Sequence, residues 1–429
     1  MTSTLNILRA FLLFGLAAFY ACSPLPKETQ AEDVVKHLRV IWTENPSESC
    51  IVSWTAFENS GESYLLLSTD AEFQTSVRMK PARSGAISLR AADIAAQLSP
   101  AWYHHVVLEG LIPNTRYYLR ACEDGQCTEL YYFRTANPEA REMSLLSGGD
   151  SRLRDSDEGA IADSVEAHND RRAMNKLIRE LFEADTSIMA LAHGADYCLT
   201  SDWRYLNYWF NDWELTTTAD RRLLPLIISR GNHDHQIGFT ECFWLGELSN
   251  QNSEGYYYYT QITDRIALIT LNTETSMAGY QRKWLSKLLP EKRGQLDWLM
   301  AQYHKPAYPA VKDFNREDFV RVRTHWVPLF EAYGLDLALE SDGHALKRTA
   351  PIKAGTIDEQ GIVYIGEGGL GVPQRTADSN RWYFKGGKAI SAHHVWKLDF
   401  CDSLLHVTAL GIGSDTLDYV QIAKRNYPN

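Results

Sequence analysis

The stretch Leu223-Leu-Pro-Leu-Ile-Ile-Ser-Arg-Gly-Asn-His-Asp234 decides the fold. Its first half is a short apolar run that favours a buried strand, and its second half is a polar turn carrying an amide, an imidazole and a carboxylate. A buried strand that ends in such side chains is typical of an α/β sheet, in which ligands collect at the carboxyl ends of the strands. Other strands of the chain should then end in the same way.

Four more apolar runs do end in polar loops. They are Met143-Ser-Leu-Leu-Ser before Gly148-Gly-Asp150, Ser187-Ile-Met-Ala-Leu-Ala before His193-Gly-Ala-Asp196, Trp298-Leu-Met-Ala-Gln-Tyr before His304-Lys-Pro306, and Leu335-Asp-Leu-Ala-Leu-Glu before Ser341-Asp-Gly-His344. Each loop alone has an ordinary explanation as a turn or a helix cap. Together, at one rim of a sheet, they supply the oxygen and imidazole ligands that a pair of metal ions needs.

A different pattern precedes this α/β region. From about Val35 to Thr135, short strand-like runs alternate with turn residues, which predicts an all-β sandwich. The segment Leu111-Ile-Pro-Asn-Thr-Arg-Tyr117 resembles the corner of a fibronectin type III domain, and Trp54 occupies the place of its buried tryptophan. Any other β-sandwich remains open. We expect this domain, residues 35–137, to be a rigid spacer or flank of the second domain, residues 141–425.

Composition and charge exclude several function classes. The 429 residues are 45% hydrophobic and 23% charged, enough for two or three packed domains and unlike a disordered chain. A formal net charge of -11 repels nucleic-acid backbones, so we expect no nucleic-acid partner. An acidic protein that handles phosphates must concentrate positive charge locally, and metal ions can do so.

The first 21 residues read as a signal peptide, followed by a linker over residues 22–34. Arg9 precedes the apolar run Ala10 to Ala21, which is too short for a permanent membrane span. Cys22 then stands where bacterial lipoproteins are acylated, and simple signal cleavage is the alternative. We expect export to a bacterial cell envelope, as a periplasmic or outer-membrane protein whose membrane contact is a lipid anchor at Cys22. Export permits disulfides, and Cys122 and Cys127 bracket a turn that a disulfide could clip.

The order of the polar loops resembles that of the calcineurin-like metallophosphoesterases and, with the β-rich front domain, most resembles the purple acid phosphatases. The resemblance runs from about Val35 into the β-rich tail. It implies an α/β domain of four layers, with two sheets flanked by helices, and a binuclear centre of Fe, Mn, Zn or Mg. Six ligands are implied: Asp150 and His344 for the first metal, Asp196 as the bridge, and Asn232, His304 and Asp342 for the second metal.

Several positions depart from the family pattern. Asp342 stands in place of the first histidine of the last motif, if Arg348-Thr349 is kept in register; the other register puts His344 first and loses a ligand. Leu199 replaces the tyrosine three residues after the bridging Asp, so no purple colour is expected. Arg152 stands where a Gly or a ligating His follows the first Asp in the family. Two interpretations are open: its guanidinium binds phosphate oxygens through two N–H groups, or it is a surface arginine.

The resemblance implies hydrolysis of a phosphorylated small molecule, phosphomonoester first, by a metal-bound hydroxide. His233 would lie unliganded over the phosphate, and Asp234 would orient it through the other ring nitrogen or merely cap a helix. Two alternatives remain open. One is phosphodiesterase activity at the same site, and the other is a catalytically degenerate envelope protein that binds ligands.

Overall fold

The computed structural model describes residues 34–58, 61–153, 165–235, 237–246 and 255–425. The predicted signal peptide and the anchor at Cys22 lie outside these residues. Among the helices that are described, none combines the length and apolar character needed to cross a membrane.

The front domain is a β-sandwich, as predicted. Its elements are β1 (Val35–Ile41), β2 (Cys50–Ala56), β3 (Ser63–Ser68), β4 (Val77–Met79), β5 (Arg83–Ala86), α1 (Ala91–Ala95), β6 (Trp102–Leu108), β7 (Arg116–Glu123), β8 (Gln126–Cys127) and β9 (Tyr131–Arg134). Strands β1, β2, β6 and β5 form one face, and β4, β3, β7 and β8, with β9 on β7, form the other. Trp54 is fully buried. The Tyr117 hydroxyl accepts a hydrogen bond from the Ile112 N–H (2.8 Å), which is the predicted corner.

A disulfide between Cys122 and Cys127 joins β7 to β8, as the spacing of the two cysteines indicated. The hairpin is short and lies at the edge of its sheet. The bond therefore closes a local loop and does not connect distant parts of the chain.

The second domain begins with the predicted buried strand. Its strands are β10 (Met143–Gly148), β11 (Ile188–His193), β12 (Leu226–Ile228), β13 (Tyr258–Gln261), β14 (Ile266–Thr270), β15 (Trp298–Gln302), β16 (Leu337–Glu340), β17 (Leu346–Arg348), β18 (Ile352–Lys353), β19 (Thr356–Ile357), β20 (Val363–Gly366), β21 (Lys388–Ile390), β22 (His394–Phe400), β23 (Leu404–Gly411) and β24 (Thr416–Ala423). Its helices are α2 (Val165–Ala184), α3 (Trp203–Trp213), α4 (Ile237–Cys242), α5 (Tyr280–Lys292), α6 (Glu317–His325) and α7 (Val327–Tyr333).

Two sheets form the centre of this domain. Strands β10, β11 and β12 run parallel in the first sheet, and β14, β15, β16 and β20 run parallel in the second. Alternate side chains of β15 face opposite ways: Trp298 and Met300 join the core between the sheets, whereas Leu299 and Ala301 join the core shared with α5, α6 and α7. Residues of α2 and α3 belong to the first core, so the predicted order of helix, sheet, sheet and helix is confirmed.

The sheet of the front domain continues into the first sheet of the second domain. Strand β1 pairs in parallel with β12 at Ile41 and Leu226, and the Trp42 N–H donates to the Leu226 carbonyl (2.8 Å). One ten-stranded sheet therefore runs from β24 to β5 through both domains. Backbone hydrogen bonds thus join the front domain, expected to be a rigid spacer or flank, to the second domain within one sheet.

Candidate metal centre

Five loops at the carboxyl ends of parallel strands bring the predicted site residues together. They follow β10, β11 and β12 in the first sheet, and β15 and β16 in the second. Backbone hydrogen bonds connect the loops: the Asp150 N–H donates to the Ala195 carbonyl (2.9 Å), and the Ser341 N–H donates to the His304 carbonyl (3.0 Å). The site thus lies where the rims of the two sheets meet.

Contacts between the side chains join all six predicted ligands into one cluster. The closest approaches run from His344 Nε2 to Asp150 Oδ1 (3.4 Å), from His304 Nε2 to Asp196 Oδ2 (3.3 Å) and from His304 Nε2 to Asp342 Oδ1 (3.6 Å). Asn232 joins through Lys305, whose ammonium donates to the side-chain oxygens of Asn232 and Asp342. The chain therefore brings together residues from five separate loops in the sequence.

The backbone at this site is unusual for residues other than glycine. Positive φ angles occur at Asp150 (54°), Asp196 (52°), Asp342 (74°) and His344 (62°). Left-handed conformations cost energy for side chains with a Cβ, least for Asp and Asn. The left-handed conformations turn the chain sharply at the end of each strand, and the side chains of these residues therefore lie at the rim of the sheets.

Glycine is required where the loops approach most closely. A Cβ on Gly231 would collide with Asp196 Oδ1 and lie 2.9 Å from the His304 Cε1 atom. The glycine before Asn232 therefore lets the loop after β12 approach two predicted ligands.

His304 is oriented as a metal ligand requires. Its Nδ1 lies 3.0 Å from the Gly194 carbonyl and donates to it, which leaves the Nε2 lone pair toward the carboxylates. Burial lowers the pKa of His304, but Asp196 and Asp150 outweigh burial and raise it to about 10. The carboxylates therefore create a field that stabilises a positive charge at this position.

His233 is positioned by a backbone carbonyl. Its Nδ1 donates to the Leu199 carbonyl (2.6 Å), its Nε2 lies 3.9 Å from Asp196 Oδ2, and its side chain is 25% exposed. Burial lowers the pKa of His233, and the charge of Arg152 adds to the lowering, although Asp196 opposes it. The accessible nitrogen is thus Nε2, and Leu199, the residue in place of the family tyrosine, supports the ring through its backbone.

Asp234 does not orient His233, so that prediction was wrong. Its carboxylate instead accepts hydrogen bonds from the backbone N–H groups of Asp196 (2.8 Å), Tyr197 (3.3 Å) and Gly231 (3.0 Å). Burial, and then the charge of Asp196, raise its pKa. Asp234 therefore connects the loop after β11 to the loop after β12 and helps to fix the relative positions of these two loops.

Two lysines that sequence reasoning missed contact Asp342. Lys312 Nζ lies 2.6 Å and Lys305 Nζ 3.1 Å from the same oxygen, Oδ1. Burial lowers the pKa of Lys305, but Asp342 and Glu274 outweigh it and raise the pKa. Lys305 directly follows the predicted ligand His304, so its place in the sequence was a usable signal, whereas nothing local in the sequence marks Lys312.

Arg152 is buried, with 5% of its surface exposed, so it is not a surface arginine. The charge of Arg152 lowers the pKa of His233, so the two side chains are close enough to interact electrostatically. The aromatic residues after Asp196 belong to the core, because Trp203, Trp209 and Trp213 are all buried.

The cluster fits one divalent cation well. Asp150, Asp196 and His304 each offer a ligand atom, and these atoms lie within 4.8 Å of one another. Among the residues described, Asp150 Oδ1, His304 Nε2 and Asp342 Oδ2 are buried without a hydrogen-bond partner. Buried polar atoms of this kind are costly unless something satisfies them. Carboxylate oxygens with an imidazole suit Mn, Fe, Mg or Zn.

Two family models match the chain. Residues 35–135 match the N-terminal domain of purple acid phosphatases, and residues 159–345 match the calcineurin-like phosphoesterases. An uncharacterized protein of Mycobacterium tuberculosis is 23% identical over 345 residues, which cover 74% of this chain and 62% of the relative. Purple acid phosphatase 15 of Arabidopsis thaliana is 23% identical over 295 residues, 62% of this chain and 53% of the relative. The chain thus matches little more than half the length of these proteins.

The fold resembles that of a solved enzyme. Purple acid phosphatase PPD1 from yellow lupin (Lupinus luteus) superimposes with a TM-score of 0.72 at 16% identity, covering 91% of this chain and 74% of the lupin chain. The similarity includes both the sandwich and the two-sheet domain. The chain therefore carries a calcineurin-like phosphoesterase domain, preceded by a domain that matches the N-terminal domain of the purple acid phosphatases.

Proposed function

We propose that this chain hydrolyses phosphoric esters in a metal-dependent reaction, with small phosphomonoesters as its first substrates and phosphodiesters second. One observation carries the proposal: Asp150, Asp196 and His304 present ligand atoms within 4.8 Å of one another at the rim of the two sheets. Family membership supports the same chemistry.

The roles of the residues follow from their contacts. Asp150, Asp196 and His304 would hold the metal, with His344 beside Asp150. When bound, the metal supplies positive charge for the phosphoryl oxygens and lowers the pKa of water. The guanidinium of the buried Arg152 would donate two parallel hydrogen bonds to the phosphate. His233 presents Nε2 to the same space, and a phosphate dianion beside it favours the protonated ring, which can donate to a phosphoryl or leaving-group oxygen.

The test is turnover by the metal-loaded protein. We expect hydrolysis of p-nitrophenyl phosphate, slower hydrolysis of bis(p-nitrophenyl) phosphate, and loss of both activities after treatment with a chelator. A protein that binds metal yet turns over neither ester would contradict the proposal and favour the ligand-binding alternative. Faster hydrolysis of the diester than of the monoester would make phosphodiesters, and not phosphomonoesters, the first substrates.

His233→Gln should reduce kcat for p-nitrophenyl phosphate by about 10²–10⁴-fold, because that is the usual contribution of a positioned acid or base. Glutamine keeps a polar side chain but cannot transfer a proton. Metal content, measured by elemental analysis, should not change, because His233 is not among the proposed ligands. His406→Gln, on β23 in the tail, is the matched control and should behave as the wild type. Unchanged kcat in His233→Gln would remove this residue from the mechanism.

We further propose that the protein is exported to a bacterial envelope and anchored through a lipid on Cys22. The support is the sequence alone: an apolar segment after Arg9, followed by a cysteine in a loose polar stretch. In a bacterial host the wild type should fractionate with membranes, and Cys22→Ser should move to the soluble periplasmic fraction. Equal fractionation of the two proteins would leave signal cleavage without lipidation as the better account.

A further inference from the structure

An ammonium group lies among the residues that the family resemblance assigns to the second metal ion. Lys305 Nζ donates to the side-chain oxygen of Asn232 and to Asp342 Oδ1 (3.1 Å). The Lys305 side chain is 8% exposed and that of Asp342 is 3% exposed. The contact is therefore nearly buried, unlike a mobile ion pair on the surface.

Lys305 and a second metal ion would use the same lone pairs. A divalent cation binds oxygen ligands at roughly 2.0–2.6 Å, so it cannot share Asn232 and Asp342 with an ammonium without strong repulsion between the two cations. Lys312 adds to the repulsion, because its Nζ lies 2.6 Å from Asp342 Oδ1. The residues on this side of the site thus fit an ammonium better than a metal.

The opposite side of the site is different. Asp150 Oδ1 and His304 Nε2 accept no hydrogen bond from the described residues. The three ligand atoms that lie within 4.8 Å of one another there come from Asp150, Asp196 and His304, and not from Asp342, whose Oδ1 accepts from both lysines. The cluster is therefore asymmetric, with one half suited to a metal and the other half neutralised by lysine.

We propose that this protein holds a single metal ion, at Asp150, Asp196 and His304, and that the ammonium of Lys305 replaces the second. This inference rests on the proposed function. Lys305 would supply a fixed positive charge, which Asn232 and Asp342 hold beside the phosphate. In the register that keeps Arg348-Thr349, Asp342 stands in place of a family histidine, and an aspartate forms an ion pair with an ammonium whereas a neutral histidine carries no charge to do so.

Metal stoichiometry tests the proposal. The protein is dialysed with excess Mn²⁺, freed of unbound metal, and examined by elemental analysis and by EPR. The wild type should bind one Mn²⁺ per chain and give the signal of an isolated ion. The double variant Lys305→Ala/Lys312→Ala should bind two and give the signal of a coupled pair, because no ammonium then occupies the oxygens of Asn232 and Asp342. Lys312→Ala alone, which keeps Lys305, is the matched control and should still bind one.

Two ions in the wild type would overturn the inference, and so would one ion in a folded double variant. If that variant does not fold, the wild-type stoichiometry alone remains decisive. The proposed function fails in a different way: a wild type that binds no metal and hydrolyses no ester would contradict it, whereas an active wild type with two ions would contradict only the single-metal inference.

Discussion

Asp196→Asn should lower kcat/KM for an aryl phosphate by about 10³-fold or more and release the tightly bound metal. Asp196 is the centre of the cluster: its Oδ2 lies 3.3 Å from His304 Nε2, and its Oδ1 accepts the His233 N–H (3.0 Å). Asparagine keeps the shape and can keep the backbone hydrogen bond, but it removes the charge that stabilises a cation. Losses of a few orders of magnitude are typical when a preorganised electrostatic group is removed.

Metal content and kinetics should be measured on the same preparation of Asp196→Asn. Asp402→Asn is the control, because Asp402 is exposed and forms an exposed ion pair with Arg141 (3.7 Å), far from any predicted ligand in the sequence. It should keep both metal and activity. Full metal occupancy with wild-type turnover in Asp196→Asn would mean that the chemistry takes place elsewhere in the protein.

Lys347→Met should destabilise the fold by about 3–5 kcal/mol, the usual result of removing one partner from a buried ion pair. Lys347 Nζ donates to Glu340 and to the Tyr308 carbonyl (2.7 Å) and lies 3.7 Å from Glu367 Oε2. All three charged side chains have no exposed surface. Burial already raises the pKa of Glu367 to about 7, although Lys347 opposes the increase. Without the lysine, two buried carboxyl groups would lack a counter-charge.

The same network supports the site. Glu340 Oε1 accepts the Tyr303 hydroxyl (2.6 Å) and the Ala307 N–H (2.7 Å), and these two residues flank the His304 loop. Urea unfolding at pH 7 measures the change in stability, with Lys287→Met on the exposed face of α5 as the control. A decrease of less than about 1 kcal/mol in Lys347→Met would show that the carboxyl groups become neutral at little cost.

The strands and their order were predictable because buried parallel strands are continuous apolar runs, and polar turns mark their ends. The partner of Asp234 was not predictable, because its acceptor atoms are used by backbone N–H groups as far as 38 residues away. The contact of Lys312 with Asp342 spans 30 residues and has no sequence pattern. The pairing of β1 with β12 is also non-local and leaves no mark in either strand.

The shared ten-stranded sheet has a consequence for how this protein can evolve. Strand β12 would be an open edge without β1, and open edges invite pairing with other chains. By pairing β1 with β12, the front domain therefore covers this edge of the catalytic domain and keeps it from pairing with other chains. Loss or exchange of that domain would leave β12 as an edge that needs another cover.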